Sequence, residues 1–94
     1  MRVRDRHGTI IQLTEERWAH IVEYHPELEE HYDEVLATIR FGRRRQDALD
    51  PLKYKYIRPC LTLPFDMTHI VVVVRMSRTP FVLSAYGVEK HVKP

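Results

Sequence analysis

Five β-branched residues in a row, Ile70, Val71, Val72, Val73 and Val74, leave this chain few architectures. A run without polar alternation needs cover on both faces, so it belongs in the middle of a sheet. It is also the longest apolar run in the sequence. A bilayer-spanning helix needs about 20 such residues, so no membrane span is expected. The rest of the chain must supply flanking strands and a covering layer.

The residues before it are patterned for helices. Thr14 is a plausible N-cap, with Glu15 and Glu16 in the first turn, where the helix dipole favours acids. Leu13 and Trp18 occupy the two positions of a hydrophobic staple. Trp18, Ile21, Val22 and His25 share one helical face. Proline disfavours α conformation in the residue before it and suits the first turn of a new helix. His25-Pro26 is therefore a corner, and a second helix is expected from about Pro26 to Arg40, ended by Gly42.

Period-two patterning replaces the helical period on either side of this segment. Gly8 to Leu13 reads as a short strand, and Lys53 to Arg58 as another, with Tyr54, Tyr56 and Arg58 on one face. Cys60 to Leu63 is strand-like between two prolines. Phe81 to Tyr86 closes the pattern, with Phe81, Leu83 and Ala85 on one side and Val82, Ser84 and Tyr86 on the other. The expectation is an α+β fold: a short N-terminal strand and two helices packed on one face of an antiparallel sheet of about four strands. The 94 residues make a single domain, with a core of about 9–87 and a tail over 88–94.

Charge is uneven although the net is only +2. Residues 14–34 carry eight acids against Arg17, whereas residues 40–58 carry seven bases against Asp47 and Asp50. A helix dipole accounts for Arg40 and Arg43 but not for basic residues continuing to Arg58. Those residues suit an anion such as RNA, or else form a solvated face. No signal peptide opens the sequence, and a single cysteine, Cys60, excludes an internal disulfide, so a cytoplasmic location is expected.

Several chemistries are disfavoured by spacing. His20 and His25 lie roughly 140° apart on an ideal helix, which is poor geometry for sharing a metal. Three glycines build no phosphate-binding loop. Cys60 has no nucleophile motif, and Ser84 lacks a glycine-flanked elbow. Acid–base chemistry survives, without metal or cofactor. Cleavage of RNA by its own 2′-hydroxyl needs a base, an acid and cations for the phosphorane. His20 and His25 suit the proton transfers. Arg44, Lys55 and Arg58 suit phosphate, and Tyr54, Tyr56 and Tyr86 suit base stacking or proton donation. Each also has a structural reading: His25 packing at the corner, His20 solvated beside Glu16, Arg58 paired with a helix acid, Tyr54 and Tyr56 filling a sheet face, and Ser84 and Tyr86 serving only the sheet.

The block from Leu13 to Ile21, then His25-Pro-Glu-Leu28, and the closing strand Phe81 to Tyr86 with its Ser84-Ala-Tyr86 ending, resemble the phage- and toxin-associated branch of the barnase–EndoU–colicin–RelE nuclease superfamily. The likeness spans roughly residues 10–87. It implies helices followed by a four-stranded antiparallel sheet and a metal-independent endoribonuclease. His20 and His25 then lie in its histidine block, and Ser84 and Tyr86 in its last strand. It implies RNA as substrate and an antitoxin or immunity protein as partner. The rival readings are a non-catalytic RNA- or protein-binding module of the same fold, and an interaction domain that forms a homodimer through its valine-rich sheet.

Overall fold

The switch from helical to alternating patterning survives in three dimensions, with changes at the joints. The computed structural model describes residues 1–90. In chain order these form β1 (Arg2–Arg4), β2 (Ile10–Gln12), α1 (Glu15–Tyr24), a 3-10 turn (Pro26–Leu28), α2 (Tyr32–Phe41), β3 (Arg43–Gln46), β4 (Lys53–Pro59), β5 (His69–Arg75) and β6 (Phe81–Val88). None of the helices among the described residues is long and apolar enough to cross a membrane.

Thr14 caps α1 as expected, its hydroxyl accepting the amide of Arg17 at 3.1 Å. The helix stops at His25, whose amide makes its last bond to Ile21 before the backbone leaves the α region. A single second helix from Pro26 does not form. Pro26–Leu28 winds as one 3-10 turn that sinks Leu28 into the core, and α2 begins only at Tyr32. Gly42 does end α2, but in extended backbone rather than a left-handed cap. Its role is close approach: a Cβ there would lie 2.3 Å from the Thr38 carbonyl oxygen and 2.8 Å from that of Ile57.

The sheet has six strands in the order β1-β2-β6-β5-β4-β3, not about four. It is also not wholly antiparallel, because β2 and β6 pair in parallel through Gln12 and Phe81. Cys60 to Leu63 forms no strand. β1 and β3 are the additions, both short and arginine-rich. The valine run lies in β5, between β4 and β6, as its composition demands. Ile70, Val72 and Val74 pack in the main core with Val35 and Ile39 of α2, and Tyr56 of β4 joins them. Val71 faces the other way and is buried as well.

The expected alternation in β6 is broken. Val74 pairs with Val82 but Val73 pairs with Ser84, leaving Leu83 as an extra residue. This bulge lets Val82 and Ala85 share the core face. The core also exceeds the expected limits at both ends. Val3 and Asp5 are buried, and Val88 pairs with His69. Residues 91–94 of the expected tail lie outside the described residues.

Asp5, just past β1, fastens this end of the sheet to the other. Its carboxylate accepts the Tyr56 hydroxyl from β4 and Arg44 from β3 at 3.3 Å, together with the amides of His7 and Thr9. The sheet therefore wraps around α2, which packs on β1, β4 and β5. α1 instead packs along β6, beside the part of that strand beyond its short pairing with β2.

Candidate functional site

Two elements build a cleft from opposite sides. His20, Ile21 and Tyr24 come from the last turns of α1, and His25 follows as its cap. Leu83 and Ser84 come from the bulge of β6. The cleft encloses about 400 Å³. A larger depression of about 540 Å³ runs along Thr14, Glu16, Arg17, Ala19, His20 and Glu23, but only α1 and its cap wall it.

His25 is held by backbone on both sides. Its amide donates to Ile21 at 2.7 Å, and its carbonyl accepts the amide of Leu28 at 3.0 Å. Pro26 enforces the break between them. The imidazole, 34% exposed, lies 5.8 Å centroid to centroid from the ring of Tyr86 and tilted by 40°. Its Nδ1 is 3.7 Å from Oε2 of Glu27, an ion-pair separation too long for a hydrogen bond. The same Oε2 accepts the amide of Gly87 at 2.9 Å. Glu27 is thus fixed by the edge of β6 and faces the histidine.

Gly87 makes this approach feasible. A Cβ at position 87 would sit 2.6 Å from Met67 Sδ and 3.3 Å from Cγ of Glu27. On the other wall His20 is exposed, its ring 4.7 Å centroid to centroid from that of Tyr24 and tilted by 55°, and Tyr24 is itself 65% exposed. The opening therefore holds two imidazoles and the hydroxyl-bearing side chains of Ser84 and Tyr24, and Tyr86 adjoins it through the His25 ring.

Four residues singled out from the sequence meet here: His20, His25, Ser84 and Tyr86. Five others do not. Tyr54, Tyr56 and Arg58 do share a face, but it is the one packed against α2. Tyr56 is fully buried, and burial followed by its bond to Asp5 pushes its phenol pKa upward. It can neither stack on a base nor donate a proton to substrate. Arg58 donates to Glu34 of α2 at 2.7 Å, the structural pairing foreseen for it. Arg44 is bound to Asp5 and lies over the ring of Tyr54 at 4.9 Å, which occupies both side chains. Lys55 is exposed on the opposite, outer face, in register with Val73 and two strands from Ser84.

Three residues at or near the site escaped the sequence reading. Glu27 and Gly87 are 60 residues apart, and no local pattern links them. His69 stands on the outer face with Tyr86, diagonal to it across β5 and β6. Its Nδ1 lies 2.7 Å from the Thr68 hydroxyl, and burial, then Lys90, lower its pKa. The signal was available in the strand period, since His69 and Val71 share a face. No group of three or more metal-ligating side chains gathers among the described residues.

Comparison of the chain with models of protein families, with curated proteins and with solved structures finds no match.

Proposed function

We propose that the chain is a metal-independent endoribonuclease acting in the cleft between α1 and β6. The observation that carries this reading is the convergence of His20, His25, Ser84 and Tyr86 from segments about 60 residues apart in the sequence. His25 accepts the proton of the 2′-hydroxyl as its oxygen forms a bond to phosphorus. The bond from phosphorus to the 5′-oxygen breaks, and His20 supplies the proton that the leaving oxygen takes. The products carry a 2′,3′-cyclic phosphate and a 5′-hydroxyl. The Glu27 carboxylate, 3.7 Å from Nδ1, faces the ring as it takes on the proton. The hydroxyls of Ser84 and Tyr86 donate to the non-bridging oxygens, where charge grows in the transition state. The resemblance of the histidine block and the final strand to metal-independent nucleases supports the same assignment.

The test is cleavage of mixed single-stranded RNA in excess EDTA by the wild type and by folded His25→Ala. Cyclic phosphate ends from the wild type and a fall of about 10²–10⁴ in the variant are expected. Equal rates in both proteins, or no cleavage by the wild type with and without ribosomes, would remove the assignment.

A further inference from the structure

The outer face of the sheet carries its own pattern, visible once register is followed across strands. Arg43 is opposite Ile57, Ile57 opposite Val71, and Val71 opposite Tyr86. The next row runs Arg45, Lys55, Val73, Ser84, and a third runs Lys53, Arg75, Phe81, Gln12. Residues opposed in register share a face. Each row thus starts in cations on β3 or β4 and crosses apolar side chains. The first two end on the residues that border the cleft. No carboxylate stands in any of the three rows. Two acids flank them in the β3–β4 turn: Asp50, which accepts from Arg75 at 3.3 Å, and Asp47. The pKa of Asp47 is lowered by the amide of Leu49 first, and to a lesser degree by Lys53 and Lys55.

The cations of β3 are held in place from beneath. Arg44 is anchored on the inner face by Asp5 and Tyr54, so alternation directs Arg43 and Arg45 outward on either side of it. Both are exposed, as is Lys55.

We propose that this outer face binds a single strand of RNA that runs into the cleft. Phosphates lie on Arg43, Arg45 and Lys55, and bases lie over Ile57, Val73 and Tyr86. The second half of this statement rests on the nuclease reading; the binding itself does not. From β3 to β6 is about 14 Å, and the strands extend about 20 Å along the face. That matches the shorter single-strand sites, of about four nucleotides. A duplex presents phosphates but keeps its base faces stacked inside, so it would leave the apolar floor in water. An anionic membrane would need apolar side chains that project, whereas Val71 is buried among its neighbours.

The probe is a fluorescent oligonucleotide of about ten residues with 2′-O-methyl riboses, which lacks the attacking hydroxyl and cannot be cut. Its binding is followed by fluorescence anisotropy for the wild type, the charge control Arg40→Ala, exposed on α2, and the double variant Arg43→Ala/Arg45→Ala. Wild type and Arg40→Ala should bind alike. The double variant should bind at least about tenfold more weakly. The slope of log K against log salt should become shallower by about 0.7 for each phosphate that is no longer neutralised. The same oligonucleotide in a duplex, and vesicles of phosphatidylserine, should both compete poorly. Lys55→Ala, in the second row, gives a second reading should the double variant melt early. Unchanged binding by folded cation variants overturns the inference, as does a duplex or vesicle that binds as well as the single strand. Binding that holds while the EDTA experiment shows no cleavage removes the nuclease reading alone.

Discussion

Tyr56 shows how far a side chain's chemistry depends on which side of a strand it leaves. Its alternation with Tyr54 and Arg58 is plain in the sequence, but period two says only that they share a face, not which face the helices take. Because α2 takes it, a residue type suited to stacking on bases becomes a buried prop for Asp5. Tyr56→Phe should therefore cost about 2 kcal/mol of stability, from a hydrogen bond to a charged acceptor. In a domain of this size that lowers the Tm by about 10 °C. Thermal melting measures the loss, and the proposed RNA cleavage should be unaffected well below the Tm. Reduced cleavage by a fully folded Tyr56→Phe would return this residue to the proposed active site. The two histidines were legible for a different reason: Pro26 marks their corner locally, whereas Glu27 reaching Gly87 depends on packing that no local pattern records.

Among the elements, the ones with caps and long patterns were readable and the short charged ones were not. Thr14 announces α1, and the β-branched run announces β5. β1 and β3 each have three or four residues, mostly arginine, so their sequences read as solvated charge. Strand character there comes from pairing with β2 and β4, not from propensity. The Leu83 bulge was equally hidden, since it exists only relative to β5. At the joint between α2 and β3, Gly42 fits where no side chain can. Gly42→Ala would force its methyl group against two backbone carbonyls and should destabilise by about 1–3 kcal/mol. Chemical denaturation would show it, and a wild-type midpoint for this variant would contradict the close approach.

For the whole molecule, charge is divided between layers, and the fastening of the sheet ends is itself ionic. Asp5 is buried, and burial alone would raise its pKa. The Tyr56 hydroxyl, the amides of Thr9 and His7, and Arg44 outweigh this and lower it below the ordinary 3.8. A carboxyl with a depressed folded pKa stabilises the fold above its unfolded value. That contribution is lost as pH falls through the folded value. Stability should thus be level from neutrality to about pH 4 as far as Asp5 is concerned, and fall below it. Asp5→Asn should remove this part of the acid slope. At neutral pH it should cost about 3–5 kcal/mol, because Arg44 would lose its buried partner. Denaturation midpoints across pH for the two proteins test both statements, and parallel acid slopes would show that Asp5 is not the titrating group.

The parallel pairing of β2 with β6 also bears on when the protein can exist. The first hairpin has its sheet neighbour in the last strand, and Asp5 waits for β3 and β4. A chain emerging from the ribosome therefore cannot close its sheet or wall its cleft until β6 has been made. Such long-range pairing slows folding and keeps early segments open while synthesis continues. Whatever the cleft does, it waits for β6, and no nascent chain that stops short of that strand can do it.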